Sequence, residues 1–275
     1  MTLIAPKSDH LIEILVLLFP ESSRNTIKAW LKKGRVIIEN RVIKQPQKLI
    51  KEGTPILLND RQTVLELGIE LLYEDNDIIV IDKPSGVLSV ATPFEKVDTV
   101  HDVLKRLFFK KRIFPVHRLD REASGVLVFA CSEKARTVLK GLFLAHTIHR
   151  EYRAVVEGQL DSNGTWESFL KEDAAYFVKS YKGGKHAITH YEVLKKQPRY
   201  TYLKLKLETG RKNQIRVQAS EAGFPIIGDQ KYGAKSNSIN RLGLHAHYLA
   251  FLHPISQKPM SFYSKVPLSF ERLFK

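Results

Sequence analysis

His117, Arg118, Asp120, Arg121 and Glu122 crowd one short stretch of this 275-residue chain. Asp120 has Arg118 two positions before it and Arg121 directly after it. Nearby positive charge favours the ionised form of a carboxylate, which suits Asp120 to act as a nucleophile or a base. A surface turn with a local Asp–Arg ion pair would use the same residues. The cluster alone does not choose between these readings.

The flanking sequence says what must position the cluster. Ile113, Phe114 and Val116 precede it, and Val126, Leu127, Val128 and Phe129 follow it, after the breaker pair Ser124-Gly125. Two apolar, β-rich runs separated by a Ser/Gly turn predict two buried strands joined by a loop. Such strands fix the geometry while the loop stays reachable. Around them the sequence predicts strands near 71–73 and 78–81, a turn at Lys83–Gly86 and a helix over 99–108. Ser132 is the expected N-cap of a helix to about Leu144. Further strand patterns fall at 151–156, 188–194, 202–207, 245–251 and 260–263. Too few helices alternate with them for a parallel βαβ series, so the predicted class is α+β with a mixed, mostly antiparallel sheet.

The N-terminal segment reads differently. Residues 9–19 predict a short helix with Asp9 as N-cap, stopped by Pro20. Ser22 or Ser23 would cap a second helix ending near Gly34. Ile27, Trp30 and Leu31 share one face of it by i, i+3, i+4 spacing. Arg24, Lys28 and Lys32 form a basic stripe on another, extended by Lys33 and Arg35, with no acidic residue from Ser22 to Ile38. Two short strands around Glu39-Asn40 and a third after Gly53 complete a small α+β unit. The expected domains are residues 1–62 and 63–275, with linker character over 59–70.

A formal net charge of +15 calls for a polyanionic partner, nucleic acid first and an acidic membrane surface second. Residues 1–62 carry 11 basic and 6 acidic side chains, +5 of that total. Cys131, the single cysteine, lies in an apolar run and has no partner for an internal disulfide. With no secretory signal in view, this points to the cytoplasm. No segment approaches the roughly 20 apolar residues of a membrane span. The pairs His245/His247, His186/His190 and His146/His149 lack an adjacent acidic cluster, so no metal site is expected.

HRLDREASG at residues 117–125 resembles the catalytic loop of the RluA-type pseudouridine synthases, HRLDxxTSG, with Asp120 on that family's catalytic aspartate. Three further stretches are similar in the same order. DKPSGVLSV at 82–90 resembles the Lys-Pro-x-Gly segment, EYRAVVEG at 151–158 the strand bearing the active-site tyrosine, and LETGRKNQIRVQASEAGFPIIGDQKYG at 207–233 the third motif. LHAHYLAFLHP near the C-terminus is similar too. The match spans roughly residues 71–267, and four ordered blocks are more specific than any one motif. The resemblance implies an RNA isomerase that breaks the C1′–N1 bond of a uridine, turns the uracil and joins C5 to C1′, needing neither cofactor nor metal. It implies Asp120 acting on the ribose, Arg216 pairing with Asp120, and Tyr152 stacking on the base and helping to remove the C5 proton. Arg118 would fill the gap left by the extruded nucleotide, and further substrate contacts would come from His117, Arg211 and Gln214.

The N-terminal unit is similar to the alpha-L RNA-binding module over about residues 9–58, which places Arg24, Lys28 and Lys32 on RNA phosphates. Ribosomal RNA is the favoured substrate, transfer RNA the alternative, and a monomer is expected. A non-catalytic RNA-binding or ribosome-assembly protein on the same fold is the rival reading. The chain departs from the family pattern at Ala123 for Thr, at Asn213 and Gln218 for the two histidines of GRTHQIRVH, and near Val90-Ala91, where the Lys-Pro segment lacks the usual histidine. These departures would bear on substrate contacts rather than on the reaction.

Overall fold

A computed structural model describes residues 2–32, 35–39, 41–58, 65–92 and 98–275. The expected helix end at Gly34, the stripe residue Lys33, the turn residue Asn40 and residues 59–64 of the linker lie outside the described residues. The chain divides into two units, Met1–Leu65 and Glu66–Lys275.

The first unit begins with β1 (Thr2–Ile4), β2 (Asp9–His10), α1 (Leu11–Leu18) and α2 (Arg24–Lys32). It continues with β3 (Val36–Ile38), β4 (Arg41–Val42), β5 (Leu49–Ile50) and β6 (Pro55–Leu58). One antiparallel sheet has the order β1-β6-β3-β4, and β2 pairs with β5. Leu11, Ile14 and Leu15 of α1 and Ile27 and Leu31 of α2 bury their apolar faces against Val36, Ile38, Ile56 and Leu58. Trp30 meets Phe19 edge-on with ring centroids 5.0 Å apart. Ser23 caps α2, its Oγ accepting the Thr26 N–H at 3.2 Å.

One expectation is corrected here, and a second residue proves to have a partner within the unit. Asp9 does not cap α1: it lies in a strand, paired with Lys7 at 2.7 Å, and the N-cap position falls to His10, which makes no side-chain cap. Arg24 forms an ion pair with Glu13, so its charge is already matched within the protein. The stripe was read along one helix, and the neutralising acid sits on the other. Lys28 and Lys32 remain exposed.

The second unit opens with β7 (Glu70–Glu74), β8 (Ile78–Lys83), α3 (Val100–Leu107), β9 (Phe114–Pro115), β10 (Ser124–Ala130) and α4 (Glu133–Leu144). There follow β11 (His149–Glu157), β12 (Gly164–Glu172), β13 (Val178–Ser180), β14 (Lys185–Gln197) and β15 (Tyr200–Leu207). The chain ends with α5 (Gln214–Glu221), β16 (Leu244–Leu252), β17 (Pro259–Tyr263) and α6 (Leu268–Arg272). The sheet runs β13-β12-β14-β15-β11-β16-β10-β8-β7, with β17 on β16 and β9 on β10. Its pairings are antiparallel except β10 with β16, where Ser124 faces His245 and Gly125 faces Ala246 in parallel. The class is therefore α+β with a mixed, mostly antiparallel sheet.

Every residue of β10 is buried, which explains its unbroken apolar run. Gly125 has φ +116°, and a Cβ there would lie 2.1 Å from the Ala246 carbonyl oxygen, so no side chain fits at this crossing. Ser132 caps α4 through the Ala135 N–H at 3.2 Å. Strands β12 and β13 were not foreseen. In β12 the buried positions Trp166 and Leu170 share a face with Ser168 between them, while Phe169 lies exposed on the other face, so the apolar alternation of a strand is blurred in the sequence. No described helix is long and apolar enough to cross a membrane.

Candidate active site

Asp120 sits on the loop that enters β10, and its neighbours are tied down from behind. Lys83, fully buried, donates from Nζ to the carbonyls of Pro84 at 2.9 Å, Val87 at 2.7 Å and Arg121 at 3.0 Å. Three acceptors match the three hydrogens of an ammonium. Burial pushes the Lys83 amine down to about 7, while Asp120 and Glu122 pull it back towards its charged form. The Ser89 hydroxyl donates to the Leu119 carbonyl at 2.8 Å and accepts the Leu119 N–H at 3.1 Å. The Gly86 N–H reaches the Arg121 carbonyl at 2.8 Å. Both residues flanking Asp120 are thus stitched to the Lys83–Ser89 turn, which leaves its carboxylate to point outward on a fixed base.

Arg216, on α5, brings the opposite charge. Its Nη1 lies 3.3 Å from Asp120 Oδ2 and 3.4 Å from Glu122 Oε2. Its firmest partner is Asp229, reached by Nε at 2.7 Å and Nη2 at 2.8 Å. Burial works against the guanidinium, but the Asp229 hydrogen bonds, with Asp120 and Glu122, raise its pKa above the ordinary arginine value. Asp229 is itself buried. In the sequence Gly228-Asp229 reads as an ordinary turn, and no local signal marks the aspartate as the arginine's anchor.

Asn213 completes the setting of Asp120. It adopts left-handed backbone geometry, φ +52°, at the start of α5, a conformation asparagine tolerates. With its amide nitrogen towards the carboxylate it donates to Asp120 Oδ1 at 3.0 Å and Oδ2 at 3.2 Å, and its oxygen accepts from the Tyr232 hydroxyl at 2.8 Å. The reverse orientation would set oxygen against oxygen. Gln218, another departure from the family pattern, lies away from the cleft. Its amide bonds Thr189, Ser168 and the carbonyls of Trp166 and Ala187, tying α5 to the sheet. Asn213 therefore touches the carboxylate, and Gln218 is internal bracing.

A cavity of about 680 Å³ opens in front, lined among others by Arg118, Asp120, Phe143, Arg150, Tyr152 and Arg211. Tyr152 alternates with Arg150 onto one face of β11. Burial raises the Tyr152 phenol pKa, opposed by Arg150 and assisted by Asp120, so the ring is neutral and protonated. A separate cavity of about 450 Å³ shares Gly210, Arg211 and Lys212 but contains neither Asp120 nor Tyr152.

The expected substrate contacts divide. Arg118 is exposed at the cleft mouth. Arg211 lines the cleft while its Nε donates to the His186 carbonyl at 2.9 Å. His117 lines the cleft as well and also braces it: it stacks on Phe143 at 4.3 Å and its Nε2 accepts the Val128 N–H at 3.1 Å. Burial, then the charge of Arg150, pushes it down to about 3. Gln214 is corrected. It is buried, donates to the Ile188 carbonyl and to Thr189, and accepts from Thr209 and the Arg211 N–H. Its amide braces the 209–214 turn and has no free polar group to offer RNA.

Among the described residues Asp75, Asp77 and His253 form a group with metal-ligand elements. His253 Nδ1 accepts the N–H groups of Ile255 and Ser256, so its proton sits on Nε2, 2.9 Å from Asp75 Oδ2. The lone pair a metal would need is therefore occupied.

The RNA pseudouridylate synthase family matches residues 77–221, more than half of the chain. Ribosomal large subunit pseudouridine synthase D of Pseudomonas aeruginosa is 31% identical over 95% of this chain and 89% of its own length. The enzyme of the same name from Xanthomonas campestris pv. campestris is 32% identical over 94% of this chain and 86% of its own. In solved structures, human RNA pseudouridylate synthase domain containing 1 shares the fold with a TM-score of 0.60 at 24% identity, covering 72% of this chain and 83% of that one. The chain belongs to the RNA pseudouridylate synthase family and is a pseudouridine synthase, an RNA isomerase.

Proposed function

We propose that this enzyme isomerises uridine in large-subunit ribosomal RNA, with Asp120 acting on the ribose. The observation that carries the site assignment is the setting of Asp120 in the cleft, faced by Arg216 and Asn213, with Tyr152 of β11 lining the same cleft. The names of the two bacterial relatives favour ribosomal over transfer RNA as substrate.

The steps follow from the residues. Arg216 and Asn213 hold the Asp120 carboxylate in place and aimed, ready to attack C1′ or to take a proton from the ribose as the C1′–N1 bond breaks. The freed uracil turns against the Tyr152 ring and bonds to C1′ through C5, as the Asp120 carboxylate leaves C1′ or returns the proton it took from the ribose. A proton then leaves C5 and N1 gains one, so the reaction is an isomerisation with no net change. A phenol kept protonated by burial is a poor base, which favours a stacking role for Tyr152 over proton removal. Arg118 at the mouth is placed to stack in the gap left by the flipped nucleotide. In the first unit, Lys28 and Lys32 supply phosphate contacts.

The test is Asp120→Asn, nearly isosteric but unable to attack or accept a proton. Pseudouridine in large-subunit RNA should vanish while RNA binding persists, read by mass spectrometry of digested RNA. Residual turnover within about tenfold of wild type would remove Asp120 from this role.

A further inference from the structure

Arg150 is only 7% exposed yet lines the same cleft as Asp120 and Tyr152. Its Nη2 donates to the Glu208 carbonyl at 3.3 Å, and its Nε has no acceptor. Its guanidinium carbon lies 6.0 Å from the Phe143 ring centroid. Among the described residues no carboxylate pairs with it, whereas Arg216 meets Asp120, Glu122 and Asp229. Burial lowers its pKa, opposed only by the Tyr152 hydroxyl. The chain also makes room for it. A Cβ on Gly210 would lie 2.4 Å from Arg150 Nη1, and Gly210 is not among the positive-φ glycines. Space for the guanidinium, not backbone freedom, explains this glycine.

We infer that Arg150 is the anion-binding group of the cleft and takes a backbone phosphate beside the target uridine; this rests on reading the cleft as the uridine site. A buried cation left without a carboxylate is unfavourable unless an anion arrives. The planar, two-pronged guanidinium fits a phosphate, and a neutral uracil carbonyl would not call for a full charge. Arg118, exposed at the rim, can attract RNA generally, but a group fixed inside the cleft selects one phosphate.

The probe is large-subunit ribosomal RNA transcribed without modification, titrated at several salt concentrations against the full chain carrying Asp120→Asn, so that turnover does not intervene. Adding Arg150→Gln should weaken binding roughly tenfold and flatten the salt slope by about 0.7–0.9. Arg150→Lys should keep the slope. Gly210→Ala leaves every charge in place but drives a methyl group against Nη1, so it should weaken binding as Arg150→Gln does. It also decides the matter if Arg150→Gln fails to fold. An unchanged slope in Arg150→Gln, or full affinity in Gly210→Ala, overturns the inference. If the parent enzyme makes no pseudouridine while these shifts persist, the reading of the cleft falls and the anion site stands.

Discussion

Arg216 lays its two-pronged edge on Asp229, at 2.7 and 2.8 Å, and meets Asp120 only with the remaining nitrogen, at 3.3 Å. The arginine is therefore anchored from behind and does not depend on the carboxylate it serves. Asp229→Asn should destabilise the fold by about 3–5 kcal/mol, the usual effect of breaking a buried ion pair. Asp120→Asn should cost far less, because Arg216 keeps its main partner. Urea unfolding of both variants checks the order, and equal losses would contradict the anchoring role of Asp229.

Lys83→Met keeps the bulk of the side chain and removes three hydrogen bonds. The Arg121 carbonyl keeps the Gly86 N–H, but those of Pro84 and Val87 are stranded at about 1–3 kcal/mol each, so a total loss of about 2–6 kcal/mol is expected. The surviving folded enzyme should show a lower single-turnover rate with RNA affinity retained, since the loop bearing Asp120 loses its tether. A rate equal to wild type would separate the tether from catalysis.

His117 gives a pH dependence with a definite sign. Its ordinary pKa of 6.5 falls to about 3 in the folded protein, so between these values the unfolded chain binds a proton that the native state refuses. Stability should fall as pH drops below about 6.5 and continue to fall towards about 3. His117→Gln can still accept from the Val128 N–H and does not titrate. Its unfolding free energy should change less than that of wild type between about pH 6 and pH 4. His245, pushed down to about 4 chiefly by burial, supplies a residual slope of the same sign. Identical slopes in wild type and variant would rule His117 out.

Lys28→Gln with Lys32→Gln should flatten the salt dependence of RNA binding by about 1.4–1.8, if both lysines contact phosphate. Arg24→Gln should instead remove an exposed ion pair worth about 0–1 kcal/mol and leave the slope nearly unchanged. Single-turnover rates at saturating RNA should hold in both cases. A larger slope change from Arg24→Gln than from the lysine pair would restore the original three-residue stripe.

What the sequence made legible was local. The Ser132 cap, the buried run of β10 and the HRLD loop each carry their signal within a few residues. Asp229 behind Arg216, Glu13 beside Arg24 and the Arg121 carbonyl under Lys83 are contacts between elements, and composition near each residue says nothing of them. Gln214 looked like a substrate contact because polar residues in a catalytic motif serve two ends, touching the ligand or holding those that do. Only their hydrogen-bond partners separate the two. The resemblance located Arg216 and Asn213, yet what Asn213 does follows from its left-handed backbone and its place between Tyr232 and Asp120.

The parallel seam of β10 and β16 has a consequence for the growing polypeptide. Ser124 must wait for His245, and closing a loop of that length costs about 4 kcal/mol in chain entropy before any contact offsets it. Asp120, Tyr152 and Arg216 have all been translated before β16 leaves the ribosome, but β11 has no second neighbour and β10 no parallel partner until it does. A nascent chain therefore carries its complete catalytic set in an unassembled state. Activity should switch on only once β16 has been made, and chains released before Leu244 should be inert towards RNA that the folded enzyme modifies.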